Sequence, residues 1–182
     1  MHPAPAPVSA RTAVLLAAVV VLPSVTGLSA CSLIGDSCHG TTAAKAQLAA
    51  QPILSAAPHG AAEPANYHGE GTTTGCDDDS PGKAWLHADR VYAYTGTPGD
   101  VIGYYEKTAP AAGWQREDPG PGALPAEVQG VCWTRAVKGR HLLLSVDFRV
   151  SGYTPPPAIG TGLAYEVSVG SNKDGTPARC WR

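Results

Sequence analysis

The sequence carries no familiar catalytic signature. Its 182 residues contain no G-x-S-x-G elbow, no H-E-x-x-H pair, no P-loop and no G-x-G-x-x-G; the S-x-x-K spacing occurs once, at Ser80-Pro81-Gly82-Lys83, where the Pro-Gly pair reads as loop. That sets aside the hydrolase, zinc-protease and nucleotide-binding classes whose chemistry depends on those spacings. The nearest glycine pattern, Gly69-Glu70-Gly71, lacks a third glycine and a following helix, and reads as a turn. Charge is sparse: 15% of residues are charged, the formal net charge is −2 and no basic block occurs, so nucleic acid is not an expected partner. No C-x-x-C pair is present, which argues against a four-thiolate zinc site. Phenylalanine is limited to Phe148, and the aliphatic residues are mostly Ala and Val. With 21 Gly and 17 Pro the chain is loop-rich, its core is thin, and covalent staples would help it fold.

The longest apolar run, Ala13 to Leu22, is too short for a membrane span and fits the apolar core of a signal peptide. Leu28-Ser29-Ala30-Cys31 follows it, an aliphatic residue and two small residues ahead of a cysteine. This segment resembles the lipobox of bacterial prolipoproteins. The resemblance implies thioether lipidation of Cys31, cleavage after Ala30 and palmitate-type acylation. Residues 1–30 are then a cleaved signal peptide, 31–40 a lipidated tether and 41–182 a single domain. Two acyl chains hold a bilayer durably where one holds it marginally, at about 0.8 kcal/mol per buried methylene. The heavy use of Ala, Gly and Pro, with Arg outnumbering Lys, points to a high-GC Gram-positive source. The anchor would then lie in the cell membrane on its extracytoplasmic face.

Four cysteines remain after Cys31: Cys38, Cys76, Cys132 and Cys180. An even count in an exported chain reads as two disulfides. Three connectivities are open and the sequence does not choose among them; Cys38 with Cys76 and Cys132 with Cys180 close the shorter loops.

Along the domain, Thr42 offers an N-cap to a run of helix formers, Ala43 to Gln51, that Pro52 stops. Gly, Thr, Pro and Asp dominate from Pro58 to Gly82, with room for one edge strand at Ala65 to Thr74. Trp85 to Tyr94 alternates as a strand, Leu86, Ala88, Tyr92 and Tyr94 sharing one side that Arg90 interrupts. Thr97, Pro98 and Asp100 start a helix whose apolar stripe is Val101, Ile102, Tyr105 and Ala109, closed by Pro110 and Gly113. Trp114 leads into a strand ending near Glu117. Val131 to Val137, the Lys138-Gly139 turn and Arg140 to Val150 form a hairpin, and Leu163 to Val169 closes the sheet. The expected class is α+β: an antiparallel-rich sheet of about four to five strands with one or two helices packed on one face.

Tyr104-Tyr105, Gly113-Trp114 and the Cys132-Trp133 strand together resemble small lipoproteins of high-GC Gram-positive bacteria. The resemblance spans roughly Cys76 to Val169 and implies architecture rather than chemistry.

Two features invite a ligand. Asp77-Asp78-Asp79 concentrates carboxylates, but an EF-hand loop starting at Asp77 would put Pro81 at its fifth position and Ala88 at its twelfth. A solvated turn is the simpler reading. The aromatics around the Pro98 helix read as core filling, and as a ligand groove in the alternative, with Tyr104 and Trp133 the candidate contacts. His39, His59, His68, His87 and His141 are scattered; only His59 and His68 share a loop region. No metal or cofactor is expected. The expected function is that of a non-enzymatic lipid-anchored envelope protein, a binding or structural module whose partner is another envelope protein or a cell-wall component. The alternative is a small-ligand or metal-ion lipoprotein using the aromatic cluster or the Asp77–Asp79 loop.

Overall fold

The computed structural model describes residues 37–78, 82–150 and 152–180. The lipobox, Cys31 and Asp79 lie outside them. Strands β1 (Thr73–Asp77), β2 (Trp85–Tyr94), β3 (Gln115–Arg116), β4 (Val131–Val137), β5 (Arg140–Asp147) and β6 (Leu163–Asn172) build one sheet. Its order is β1-β2-β6-β5-β4-β3, and every pairing is antiparallel. Helices α1 (Thr42–Ala49), α2 (Pro98–Ala111) and the single turn α3 (Ala126–Gln129) complete the α+β fold, with 3-10 turns at Pro52–Ser55 and Ala65–Tyr67.

Six strands stand where four to five are expected from sequence, and edge strand β1 accounts for the difference. It reads Thr-Thr-Gly-Cys-Asp, with no apolar alternation to announce it, while β3, inside the strand expected after Trp114, is two residues long. The edge strand expected at Ala65 to Thr74 begins at Thr73; Ala65–Tyr67 turns as a 3-10 helix instead. β5 ends at Asp147, short of Val150, and β6 runs on to Asn172, because Ser171 and Asn172 are buried and stay in register with Leu86 and Trp85.

Period-two alternation sends one set of side chains to the core. Leu86, Ala88 and Tyr92 of β2 lie beside Val169 and Tyr165 of β6, then Leu144 and Val146 of β5, then Trp133 and Val131 of β4, all buried in one cluster. Leu48 of α1 and Val101, Ile102, Tyr105 and Ala109 of α2 close over this face. Thr97 and Asp100 form a reciprocal capping box: the Asp100 N–H donates to Thr97 Oγ1 at 3.2 Å, and the Thr97 N–H donates to Asp100 Oδ2 at 2.9 Å. Pro110 sits inside the last turn of α2 rather than ending it. The exit comes at Gly113, whose φ of +81° is open to glycine at little cost. In α1 the N-cap is Thr41, not Thr42, and its hydroxyl donates to the Cys38 carbonyl at 2.8 Å instead of accepting a helix N–H. The β4–β5 hairpin turns through Lys138 (φ 49°) and Gly139 (φ 79°), the left-handed pair that matches strand twist.

Both disulfides take the shorter-loop pairing. Cys38 bonds Cys76 and Cys132 bonds Cys180, with Cα atoms 5.9 and 5.8 Å apart. The first fastens the start of the described chain to edge strand β1. There the Cys38 N–H also donates to Asp78 Oδ2 at 3.0 Å, and Lys173 Nζ donates to the Ser37 carbonyl at 2.5 Å. The second fastens the C-terminal tail to β4, where the Cys180 N–H donates to Glu117 Oε2. Among the described residues no helix is long and apolar enough to cross a membrane.

Candidate functional site on the outer face of the sheet

The residues of β2 that alternate away from the helices are Trp85, His87, Asp89, Val91 and Ala93, and their β6 neighbours are Gly170, Ser168, Glu166 and Ala164. His87 stands between two glycines, Gly75 on β1 and Gly170 on β6. A Cβ at Gly75 would collide with the His87 ring, and one at Gly170 with the indole of Trp85. Both rings therefore lie over neighbouring backbone, and both glycines are needed for that close approach.

Around these rings runs a polar network. His87 Nδ1 bonds Asp89 Oδ2, Ser168 Oγ donates to Asp89 Oδ1 at 2.6 Å, and His87 Nε2 lies 3.7 Å from Asp77 Oδ2. One register step further, Glu166 faces Asp147 across β5 and accepts from Tyr153 at 2.6 Å. Asp89 is 8% exposed, so its two partners matter: an unpaired carboxylate at that depth would be costly. The bond to Asp89 raises the His87 pKa above its ordinary value against the opposing effect of burial, with Asp77 adding to the rise. Burial raises the Glu166 carboxyl above the usual range, and the charges of Asp89 and Asp147 push the same way. Burial likewise lifts the Tyr153 phenol.

The Ser168 hydroxyl gives its proton to Asp89 and makes no bond to His87, so the nucleophile–base contact of acyl-transfer chemistry is not formed. The face offers a half-buried indole, an imidazole oriented by a carboxylate, and acceptors from Asp77 and Asp147. The sequence does contain a signal for the pair: His87 and Asp89 are two apart on the polar side of a predicted strand, where they must share a face.

The aromatic cluster is core. Tyr92 stacks on Tyr165 (centroids 5.3 Å apart, planes at 20°), and Tyr105 meets Tyr165 edge-on at 6.3 Å. Trp133 is 0% exposed with the Arg116 guanidinium 5.3 Å above its ring; β4 alternation turns it into the helix–sheet interior, as the core-filling reading has it, rather than toward the ligand groove of the alternative. Tyr104 is half-buried and packs edge-on against Tyr105 at 5.1 Å. Of the acidic run, Asp77 is exposed beside His87 and Asp78 holds the Cys38 N–H. His59 and His68 do line one cleft of about 470 Å³, but Arg90 lines it with them and pairs with Glu63 at 2.7 Å. Among the described residues no group of three or more His, Cys, Asp or Glu is placed to hold a metal ion.

No protein-family model matches the chain, and no curated protein or solved structure is significantly similar to it.

Proposed function

We propose that this chain is a non-enzymatic, lipid-anchored cell-envelope protein, held on the outer face of the cytoplasmic membrane through Cys31. It acts there as a binding module for an envelope protein or cell-wall component. The observation that carries the reading is the covalent fastening of the N-terminal segment. Cys38, a few residues beyond the lipobox cysteine, is bonded to edge strand β1, so a pull on the anchor passes into the sheet rather than into a loose terminus. Two disulfides fit an oxidising compartment. A serine whose proton is committed to Asp89 fits binding better than catalysis, and the Trp85–His87 face is the surface such a module would present.

The test is metabolic labelling with a fatty-acid analogue followed by membrane fractionation. The wild-type chain should carry the label and sediment with membranes, and Cys31→Ser should lose the label and shed. Label retained on Cys31→Ser would overturn the anchor.

A further inference from the structure

We infer that the chain binds a free single-chain carboxylate amphiphile, a fatty acid, in an apolar groove at the end of the sheet remote from the Cys38–Cys76 bond. This goes beyond the anchored-module reading and does not depend on Cys31. The groove is a shallow, open one with a volume of about 530 Å³, within the range of small-ligand sites. Phe148 and Val150, as the chain leaves β5, line it together with Pro157 and Ile159 of the loop that follows, Leu163 and Pro98 at the start of α2. Phe148, the chain's single phenylalanine, rests 6.4 Å from Tyr165 and stays partly exposed. Ile159 and Leu163 are partly exposed too.

The loop that lines the groove is fixed. Asn66 clamps it twice, donating to the Pro156 carbonyl at 2.9 Å and accepting the Ala158 N–H at 2.7 Å. Tyr67 donates to the Pro155 carbonyl at 2.5 Å and stands edge-on to Tyr153 at 5.9 Å, while Tyr153 is tied to Glu166 on the sheet. A loop held this firmly keeps its apolar side chains apart from Phe148 instead of collapsing on it, and a groove already formed costs little ordering on binding.

Charge selects the occupant. Arg149 is the one charged residue lining the groove, and its side chain is 65% exposed. Its guanidinium reaches Asp147 only at 3.4 and 3.5 Å, longer than a good charge-assisted bond, so it is free to turn to a stronger anion. An apolar body with one anionic end complements this lining. A volume of this size suits one chain rather than the broad surface of a protein partner. The groove also faces away from the fastened end: Cys76 pairs with Leu86 near the start of ten-residue β2, whereas Leu163 pairs with Tyr94 at its finish. That separation is roughly 25 Å along the strand.

The test uses the exported protein reconstituted in vesicles and a dodecanoate probe bearing a photoreactive group, with capture mapped by peptide mass spectrometry. Capture should map to 148–163, be competed by unlabelled dodecanoate, and fall roughly tenfold for each two methylenes removed from the competitor. Arg149→Glu, a change on an exposed arm, should cut capture about tenfold with an unchanged melting midpoint, Ile159→Asp should abolish it, and a dodecylammonium probe should not label the groove. Capture confined to other segments, capture insensitive to Arg149→Glu, or equal labelling by the ammonium probe would overturn the proposal. So would a dimer that Ile159→Asp dissociates, which would make a second copy the occupant.

Discussion

Tyr105 is where the helix–sheet interface is most exposed to test, and Tyr104 beside it supplies the control. Tyr105 is 0% exposed, lies between Tyr104 and Tyr165, and donates its hydroxyl to the Ala56 carbonyl, linking α2 to the segment that follows the Pro52–Ser55 turn. Tyr105→Ala removes a fully buried ring from rigid surroundings and should cost about 3–5 kcal/mol. Tyr105→Phe keeps the ring but leaves the Ala56 carbonyl unpaired and should cost about 1 kcal/mol. Tyr104→Ala gives up a half-buried ring whose place water can take, so its loss should stay near 1 kcal/mol. Against a total stability of about 5–15 kcal/mol for a domain of this kind, the first variant should be close to its unfolding threshold and the third near wild type. Urea melts of the oxidised protein read all three, with an unchanged slope needed before midpoints are compared. Equal, small losses for Tyr105→Ala and Tyr104→Ala would refute the interface.

Replacing Cys38 and Cys76 together with Ser should lower stability by up to about 4 kcal/mol, since the bridge spans 38 residues; unchanged urea midpoints would show that β1 holds without it. The His87 pKa is raised in the folded state, so its stabilising contribution is complete below about 6.5, the ordinary imidazole value, and is lost as pH climbs through the folded value. Stability should therefore fall on going from pH 6 to pH 9, and His87→Asn should flatten that fall; a slope unchanged in the variant would sink the assignment. Glu166 is raised as well, so protons bind the folded chain more tightly and stability declines with rising pH from the ordinary carboxyl value up to the folded one. Glu166→Gln should erase that part of the profile while keeping an acceptor for Tyr153, as chemical denaturation across pH 4–7 would show. Gly170→Val should drive Trp85 off the sheet and blue- or red-shift its fluorescence, whereas a spectrum identical to wild type would mean that the indole does not lie on that glycine.

Much of the scaffold is written in periodicity. β2 and β4 match the predicted segments end for end, and α2 begins where Thr97, Pro98 and Asp100 place it, because local alternation and capping chemistry suffice to define those elements. β3 falls inside the strand expected after Trp114, whereas most of β1 escapes sequence reading for the opposite reason: it is a strand because β2 pairs with it, Cys76 being held by its disulfide. The candidate site is similarly divided. His87 and Asp89 are near in sequence, but Ser168 reaches Asp89 only through the β2–β6 register, and Glu166 meets Tyr153 only through the fold of the loop after β5. Trp133 admits both the core-filling reading and the ligand-contact alternative because a buried ring and a ligand platform look alike in one dimension. Only the alternation phase of β4 against β5 decides between them.

The most direct measurement is the intact mass of the protein recovered from membranes without reduction, with fragments mapped to residues. The account predicts a chain beginning at Cys31 with a diacylglyceryl group on that residue, and Cys38–Cys76 and Cys132–Cys180 linked. A chain that retains residues N-terminal to Cys31, an unmodified Cys31, or a free thiol among the other four would contradict it.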